Sequence, residues 1–310
     1  MTPAGGFGGS LPRASTGTVR TIGFVGLGNM GEPMVRRLAA AGYEVRAYDV
    51  AEQARGRLAD ATGVTLTKSP ADVADDADAV ILMLPDSSVV EQVLLGDGLL
   101  DRVRPPALLA DMSSSEPART RALAELAASR GVTLVDAPVS GGVVGARAGS
   151  LTIMTGGPPD ALDTLGPVLG VLGARIVHAG DIPGAGHAIK ALNNLMSAAH
   201  LLASSEAMLA GQGFGLDPAV MLDIINTSSG RSGSTQNKWP NYILPGTFDS
   251  GFSIAFMVKD MKIALQLADA AGTPAPLSRA AVAAWASADQ EMPAGADHTE
   301  IARWLQQSRP

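Results

Sequence analysis

One stretch limits the fold more than any other. The apolar, strand-length run Thr21–Leu27 turns directly through Gly26-Leu27-Gly28-Asn29-Met30-Gly31 into a helical stretch reaching Ala41. Glu44–Asp49 then reads as a second strand that closes on an acid, Asp49, 23 residues after Gly26. Glycine is common here, 36 of 310 residues, so the G-x-G-x-x-G spacing alone carries little weight. The strand before it, the helix after it and the acid closing the next strand carry the argument, because together they form the arrangement that cradles a dinucleotide. Gly26 permits the tight turn, Gly28 lets backbone approach a pyrophosphate, and Gly31 lets the helix pack against the strand. The helix start offers free N–H groups and a positive dipole end to phosphate. Asp49 is placed to accept from ribose hydroxyls and to repel a 2′-phosphate, so NAD is favoured over NADP. Arg55 is the nearest cation for that phosphate.

Strand and helix signals alternate from there to about residue 180. Strands are expected near Val64–Leu66, Ala79–Leu84, Ala107–Met112, Thr133–Asp136, Leu151–Thr155 and Arg175–His178, with helices between most of them. Such alternation predicts an α/β fold with a mostly parallel sheet covered on both faces. The continuous run Val80–Leu84 suits a strand buried on both sides. After the break Asp181–Gly186 the pattern is helical, with stretches at about 187–212, 217–227, 255–271, 275–288 and 299–307. The expected layout is a tail over 1–19, a doubly wound dinucleotide-binding domain over 20–183, and an all-helical domain over 184–310. The polar segment Thr227–Tyr242 reads as a loop. The helix at 187–212 would span roughly 39 Å. It is apolar around much of its circumference, which predicts burial on most faces and hence a homodimer or homotetramer.

Composition removes several classes. The formal charge of −7 gives no overall basic footprint for nucleic acid. With no cysteine, thiolate zinc sites and thiol nucleophiles are excluded, and none of His178, His187, His200 and His298 has a clear ligand partner in sequence, so no metal is expected. No apolar run approaches the roughly 20 residues of a membrane span. Residues 1–19, rich in Gly, Ser, Thr and Pro, lack the apolar core of a secretory signal, so a cytoplasmic location is expected.

Two segments of the chain carry polar groups suited to chemistry. Ser140-Gly141-Gly142, in the loop that begins at Asp136, exposes a hydroxyl and several N–H groups, a nest suited to a carboxylate. Gly184-x-Gly186-x-x-x-Lys190-x-x-Asn193-Asn194 opens the long helix, with Lys190 and Asn194 four apart on one face. A lysine among Ala188, Ile189, Ala191 and Leu192 either snorkels to the surface or is buried with a depressed pKa, and the second case makes a general acid/base near neutral pH. His187 reads as structural or cofactor-adjacent. On the helix near 255–271, Lys259, Asp260 and Lys262 read in isolation as a solvated face with Asp260 as counter-charge.

Taken in register, Val25–Met34, Asp136–Gly142, Gly184 through Lys190 to Asn194, and Phe256-Met-Val-Lys259-Asp260 resemble the β-hydroxyacid dehydrogenase family, the group of 3-hydroxyisobutyrate dehydrogenase and tartronate semialdehyde reductase. The resemblance covers about residues 20–310 and implies a Rossmann-type domain followed by a helical one. It implies Lys190 as catalytic acid/base, and Ser140, Gly141, Gly142, Asn194 and Lys259 as substrate contacts. Leu84, Pro85, Ser113 and Lys259 would line the cofactor beside Gly26–Gly31 and Asp49. The substrate class implied is a small anionic 3-hydroxy acid or its semialdehyde, oxidised or reduced with NAD. The chain departs from the family pattern at Ser114, where Thr often stands, and at His187, where a polar amide is common. The segment Thr227–Tyr242, with Arg231, Asn237 and Lys238, is where substrate choice would be written. Imine reduction and a non-catalytic binding module are the competing readings; retention of Lys190 counts against both.

Overall fold

The computed structural model describes residues 19–308, so the expected tail lies almost wholly outside the described residues. Nine strands form one sheet among them: β1 Thr21–Val25, β2 Glu44–Tyr48, β3 Val64–Leu66, β4 Ala79–Leu82, β5 Leu108–Asp111, β6 Thr133–Asp136, β7 Val139–Ser140, β8 Leu151–Gly156 and β9 Gly173–Gly180. Their order is β3-β2-β1-β4-β5-β6-β8-β7, with β9 pairing β8. The six strands from β3 to β6 run parallel. β8 is antiparallel to β6 and β7 and parallel to β9. Order reverses between β1 and β4, and ligands in such sheets bind in the crevice outside the carboxyl ends of strands at that switch point.

Successive residues of the inner strands go to opposite faces. Ile22, Phe24, Ala79 and Ile81 join one buried cluster, while Val25, Val80 and Leu82 join another. All of Ala79–Leu82 is buried, as its unbroken apolar run predicts.

The helices on this sheet are α1 Gly31–Ala40, α2 Glu52–Gly56, α3 Ser87–Glu91, α4 Leu99–Arg102, α5 Pro117–Ala128, α6 Gly142–Ala148 and α7 Pro159–Leu172. Those that follow are α8 Ala185–Phe214, α9 Pro218–Asn226, α10 Ile254–Ala270, α11 Pro276–Glu291 and α12 Ile301–Gln307. They surround a third cluster that includes Leu195, Ala198, Trp239, Met257, Met261 and Trp285. The Trp285 indole N–H donates to the Ala198 carbonyl at 3.2 Å, tying α11 to α8.

The structure differs from the sequence reading in three places. α8 is 30 residues long rather than 26. Ser234–Ile243, expected as loop, is helical with π-type bonding. Trp239 and Ile243, four residues apart, bury themselves in the core, and the polar residues around them hid that spacing. Finally, Gly142–Ala148 forms α6, its two glycines and paired valines having offered no helical signal.

Candidate active site

The glycine turn leaves β1 at the switch point. A Cβ on Gly31 would overlap the Gly26 carbonyl oxygen, so only glycine allows α1 to start this close to the strand. A Cβ on Gly28 would meet nothing, so the backbone there is open to a ligand. Asp49 follows β2 directly, and its Oδ2 accepts from the Leu27 N–H at 2.7 Å while Oδ1 accepts from Ala51 N–H at 2.8 Å. The carboxylate therefore stands beside the turn with its remaining lone pairs outward. These features fit a dinucleotide: a cradle without side chains, a helix start with unpaired N–H groups, and a ribose acceptor.

Arg55 donates to the Asp49 carbonyl and sits over the Tyr48 ring, and Arg57 donates to the Leu27 carbonyl at 2.8 Å. Cations thus surround Asp49 although none follows the strand immediately. An Asp49→Ser enzyme is expected to lose about tenfold or more in its NAD-over-NADP ratio of kcat/KM. An unchanged ratio would remove Asp49 as the discriminating group.

The loops after β4 and β5 meet through Ser113, whose Oγ accepts from the Leu84 N–H at 2.9 Å. Asp111 is buried and holds this turn by accepting from Ser113 N–H at 2.9 Å and Ser115 Oγ at 2.8 Å. Lys259 crosses to the same loops from α10. Its Nζ donates to the carbonyls of Pro85 at 2.9 Å and Ser114 at 2.6 Å.

α8 is anchored at the sheet's carboxyl edge. The Asp136 carboxylate, fully buried at the end of β6, accepts from Gly184 N–H at 2.6 Å and His187 N–H at 2.7 Å. It caps the helix from another element, satisfying donors that the first turn leaves free. Burial pushes the Asp136 carboxyl up from its usual range.

Lys190 lies just beyond that anchor. It is 8% exposed, and its ammonium has no hydrogen-bond partner among the described residues. Burial pulls its ammonium below the ordinary lysine value, Asp260 opposes that shift, and Lys259 adds to it. The snorkelling alternative is thereby set aside. Asn194 is also buried; its Nδ2 donates to Asp260 Oδ2 at 2.6 Å and its Oδ1 accepts from Asn193.

Asp260 is the residue that sequence reasoning misplaced. Instead of a solvated counter-charge it is 1% exposed, bonded to Asn194, with Oδ1 lying 3.4 Å from Lys259 Nζ and accepting no hydrogen bond. Lys262 is the exposed member of the motif. The side-chain spacing on α10 allowed either face to point inward, and only the packing of α10 on α8 decides it.

Ser140 ends β7 half-buried, and Gly141 and Gly142 both take positive φ, 128° and 61°. No hydrogen bond joins this segment to Lys190 or Asn194 among the described residues. Lys238 is half-buried with its ammonium over the Tyr242 ring, and burial lowers its pKa; Arg231 and Asn237 are exposed. No three acidic or histidine side chains among the described residues come together to hold a metal ion.

Residues 21–180 match the NAD binding domain of 6-phosphogluconate dehydrogenase, and residues 184–305 match the family described as NAD-binding of NADP-dependent 3-hydroxyisobutyrate dehydrogenase. The chain belongs to the β-hydroxyacid dehydrogenase family. Within it, 3-hydroxyisobutyrate dehydrogenase of Pseudomonas aeruginosa is 40% identical over 83% of this chain and 88% of the relative. An NAD-dependent L-serine dehydrogenase of the same organism is 37% identical over 85% of this chain and 90% of the relative. A solved structure of Mycobacterium tuberculosis 3-hydroxyisobutyrate dehydrogenase with L-serine superposes with a TM-score of 0.87 at 34% identity, covering 93% of this chain and all of that one. The first match spans β1 to β9 and the second spans the helical part from α8 into α12.

Proposed function

We propose that this chain is an NAD-dependent dehydrogenase of small 3-hydroxy acids in which Lys190 is the general acid/base. The observation that carries the reading is a buried lysine whose ammonium has no hydrogen-bond partner among the described residues, one helical turn from the anchor that ties α8 to the cofactor side of the sheet. Its close relatives include enzymes named for hydroxy acids, 3-hydroxyisobutyrate and L-serine, which supports that substrate class.

NAD, when bound, supplies the hydride acceptor. The chain must then hold the alcohol and take one proton. Lys190 in its neutral form accepts the hydroxyl proton at Nζ as the carbonyl forms, and its ammonium returns that proton in reduction. Asp260 supplies negative charge that stabilises the ammonium, and through Asn194 it fixes an amide on the same helix face as Lys190. The Ser140-Gly141-Gly142 segment offers N–H groups and a hydroxyl to the substrate carboxylate, an attraction needed because the net charge is acidic. Lys259 holds the loops of Leu84, Pro85 and Ser113 toward the helical part. Residues 20–183 would bind the dinucleotide, and 184–310 would supply the proton-transfer group.

A dimer or tetramer in the cytoplasm completes the proposal. Only one face of α8 is buried in the single chain, while Ile189, Leu192 and Met196 are exposed; β9 is exposed along most of its length. A second copy covering these surfaces explains an apolar helix better than solvent does. Light scattering is expected to give an integral multiple of 31.5 kDa, at least two; a monomer at working concentration would refute the oligomer. No helix among the described residues is long and apolar enough to cross a membrane.

The activity is tested by following NADH formation with 3-hydroxyisobutyrate, L-serine, 3-hydroxypropionate, glycerate and threonate. Turnover of at least one is expected. Silence on all of them by enzyme that binds NAD would favour the binding-module or imine reading.

A further inference from the structure

His187 sits where the cofactor side of the sheet meets the helix that carries Lys190, and it touches both. Its ring is buried, with Nε2 at 3.0 Å from the Ser113 carbonyl oxygen and Nδ1 at 2.9 Å from Thr120 Oγ1 on α5. A carbonyl only accepts, so Nε2 carries a hydrogen and donates it. The backbone N–H of the same residue is the one held by Asp136, and the carboxylates of Asp111 and Asp136 flank the ring at 3.8 and 3.7 Å.

Ser113 in turn accepts from the Leu84 N–H and donates its own N–H to Asp111. An unbroken line of hydrogen bonds therefore runs from the loop after β4, through Ser113, to the His187 ring. Three residues later on the same helix face stands Lys190. Because the line contains no solvent-exposed link and no long flexible side chain, it fixes the separation between the cofactor loops and the proton-transfer group.

We propose that His187 is a positioning residue for this reaction: it sets the register of α8, and so the place of Lys190, against the Leu84 and Ser113 loops. The proposal rests on the reading of Lys190 as general acid/base. A displacement of about 1 Å between reacting groups costs on the order of a hundredfold in rate, so a lost bridge is felt in turnover rather than in binding. What the position demands is one donor toward Ser113 and one group able to pair with Thr120. Glutamine meets that demand and leucine, of similar bulk, does not.

The test compares His187→Leu, His187→Gln and Lys190→Met with the full-length enzyme, using 3-hydroxyisobutyrate as substrate and NADH fluorescence for cofactor binding. His187→Leu is expected to lose roughly tenfold to a hundredfold in kcat with KM for the hydroxy acid changed by no more than about threefold. His187→Gln is expected to recover kcat to within about threefold of the parent. A folded Leu variant with kcat within about twofold of the parent, or a Gln variant as slow as the Leu variant, overturns the proposal. Should the Leu variant fail to fold, Thr120→Val, which removes one partner of the ring, takes its place; it is expected to slow kcat, and unchanged turnover overturns the proposal. Lys190→Met separates the two readings. If it stays active, Lys190 is not the acid/base; if it is inactive beside an undisturbed Leu variant, only the role of His187 falls.

Discussion

Lys190→Met is expected to lower kcat by about a thousandfold while leaving the affinity for NADH nearly unchanged, because general acid/base catalysis by a positioned side chain contributes about 10² to 10⁴. Methionine keeps the bulk and the apolar packing beside Ala191 and removes only the proton site. The pH dependence of the parent enzyme follows from the same group. Burial favours the neutral amine, so its pKa in the folded protein lies below the unfolded value of 10.5. Alcohol oxidation needs the neutral amine, so that rate rises with pH through the lowered pKa. Carbonyl reduction needs the ammonium and falls across the same interval. In the Met variant both limbs should vanish from the residual rate. Steady-state kinetics in each direction, with fluorescence titration of NADH, checks all of this; a variant that keeps near-parental kcat would remove Lys190 from the chemistry.

The second large effect is expected at Asp260. Among the described residues, its carboxylate is the negative charge that opposes the loss of the Lys190 ammonium to burial, and it holds Asn194 and faces Lys259. Asp260→Asn keeps the shape and removes that charge. Lys190 then loses its stabilising partner and its pKa falls further, so the rising limb of alcohol oxidation moves to lower pH. Lys259 also loses its facing negative charge, and Asn194 loses a charged acceptor. We expect kcat/KM to fall by about a hundredfold, in line with an orienting group close to the reacting atoms. The buried hydrogen bond from Asn194 also loses its charged acceptor, so the variant should unfold at lower denaturant than the parent. An Asn variant whose pH profile superposes on the parent's would show that Asp260 does not govern Lys190.

The cofactor half of this account was legible in sequence because its physics is local. The turn needs glycine at Gly26 and Gly31 for reasons of backbone space, and Asp49 is reached by one short helix and one strand. The continuous apolar run of β4 likewise declares burial on both faces. Lys190 could be read as buried or snorkelling, and only the packing of α8 on the sheet decides between them. Asp260 was not legible in its present place, and His187, read as structural or cofactor-adjacent, was legible only that far. Each depends on contacts between elements far apart in the chain, α10 with α8 and α8 with the loop after β5. The spacing Lys259-Asp260-x-Lys262 is compatible with either face turned inward. Ser234–Ile243 shows the converse case, where Gly, Ser and Asn in the surrounding segment concealed a pair of core residues one turn apart.

The position of the proton remains the central claim, and the scarcity of lysine makes it directly observable. The chain has five lysines, Lys68, Lys190, Lys238, Lys259 and Lys262, so isotopic labelling of lysine side chains gives few signals to resolve by NMR. Lys190 is assigned by its loss in Lys190→Met. The account predicts that its signal titrates below 10.5, and that its midpoint in the NAD-bound enzyme matches the rising limb of kcat/KM for the hydroxy acid at saturating NAD. A Lys190 signal whose midpoint is not lowered from 10.5, or a kinetic limb that persists at the same pH when Lys190 is replaced by methionine, would contradict it.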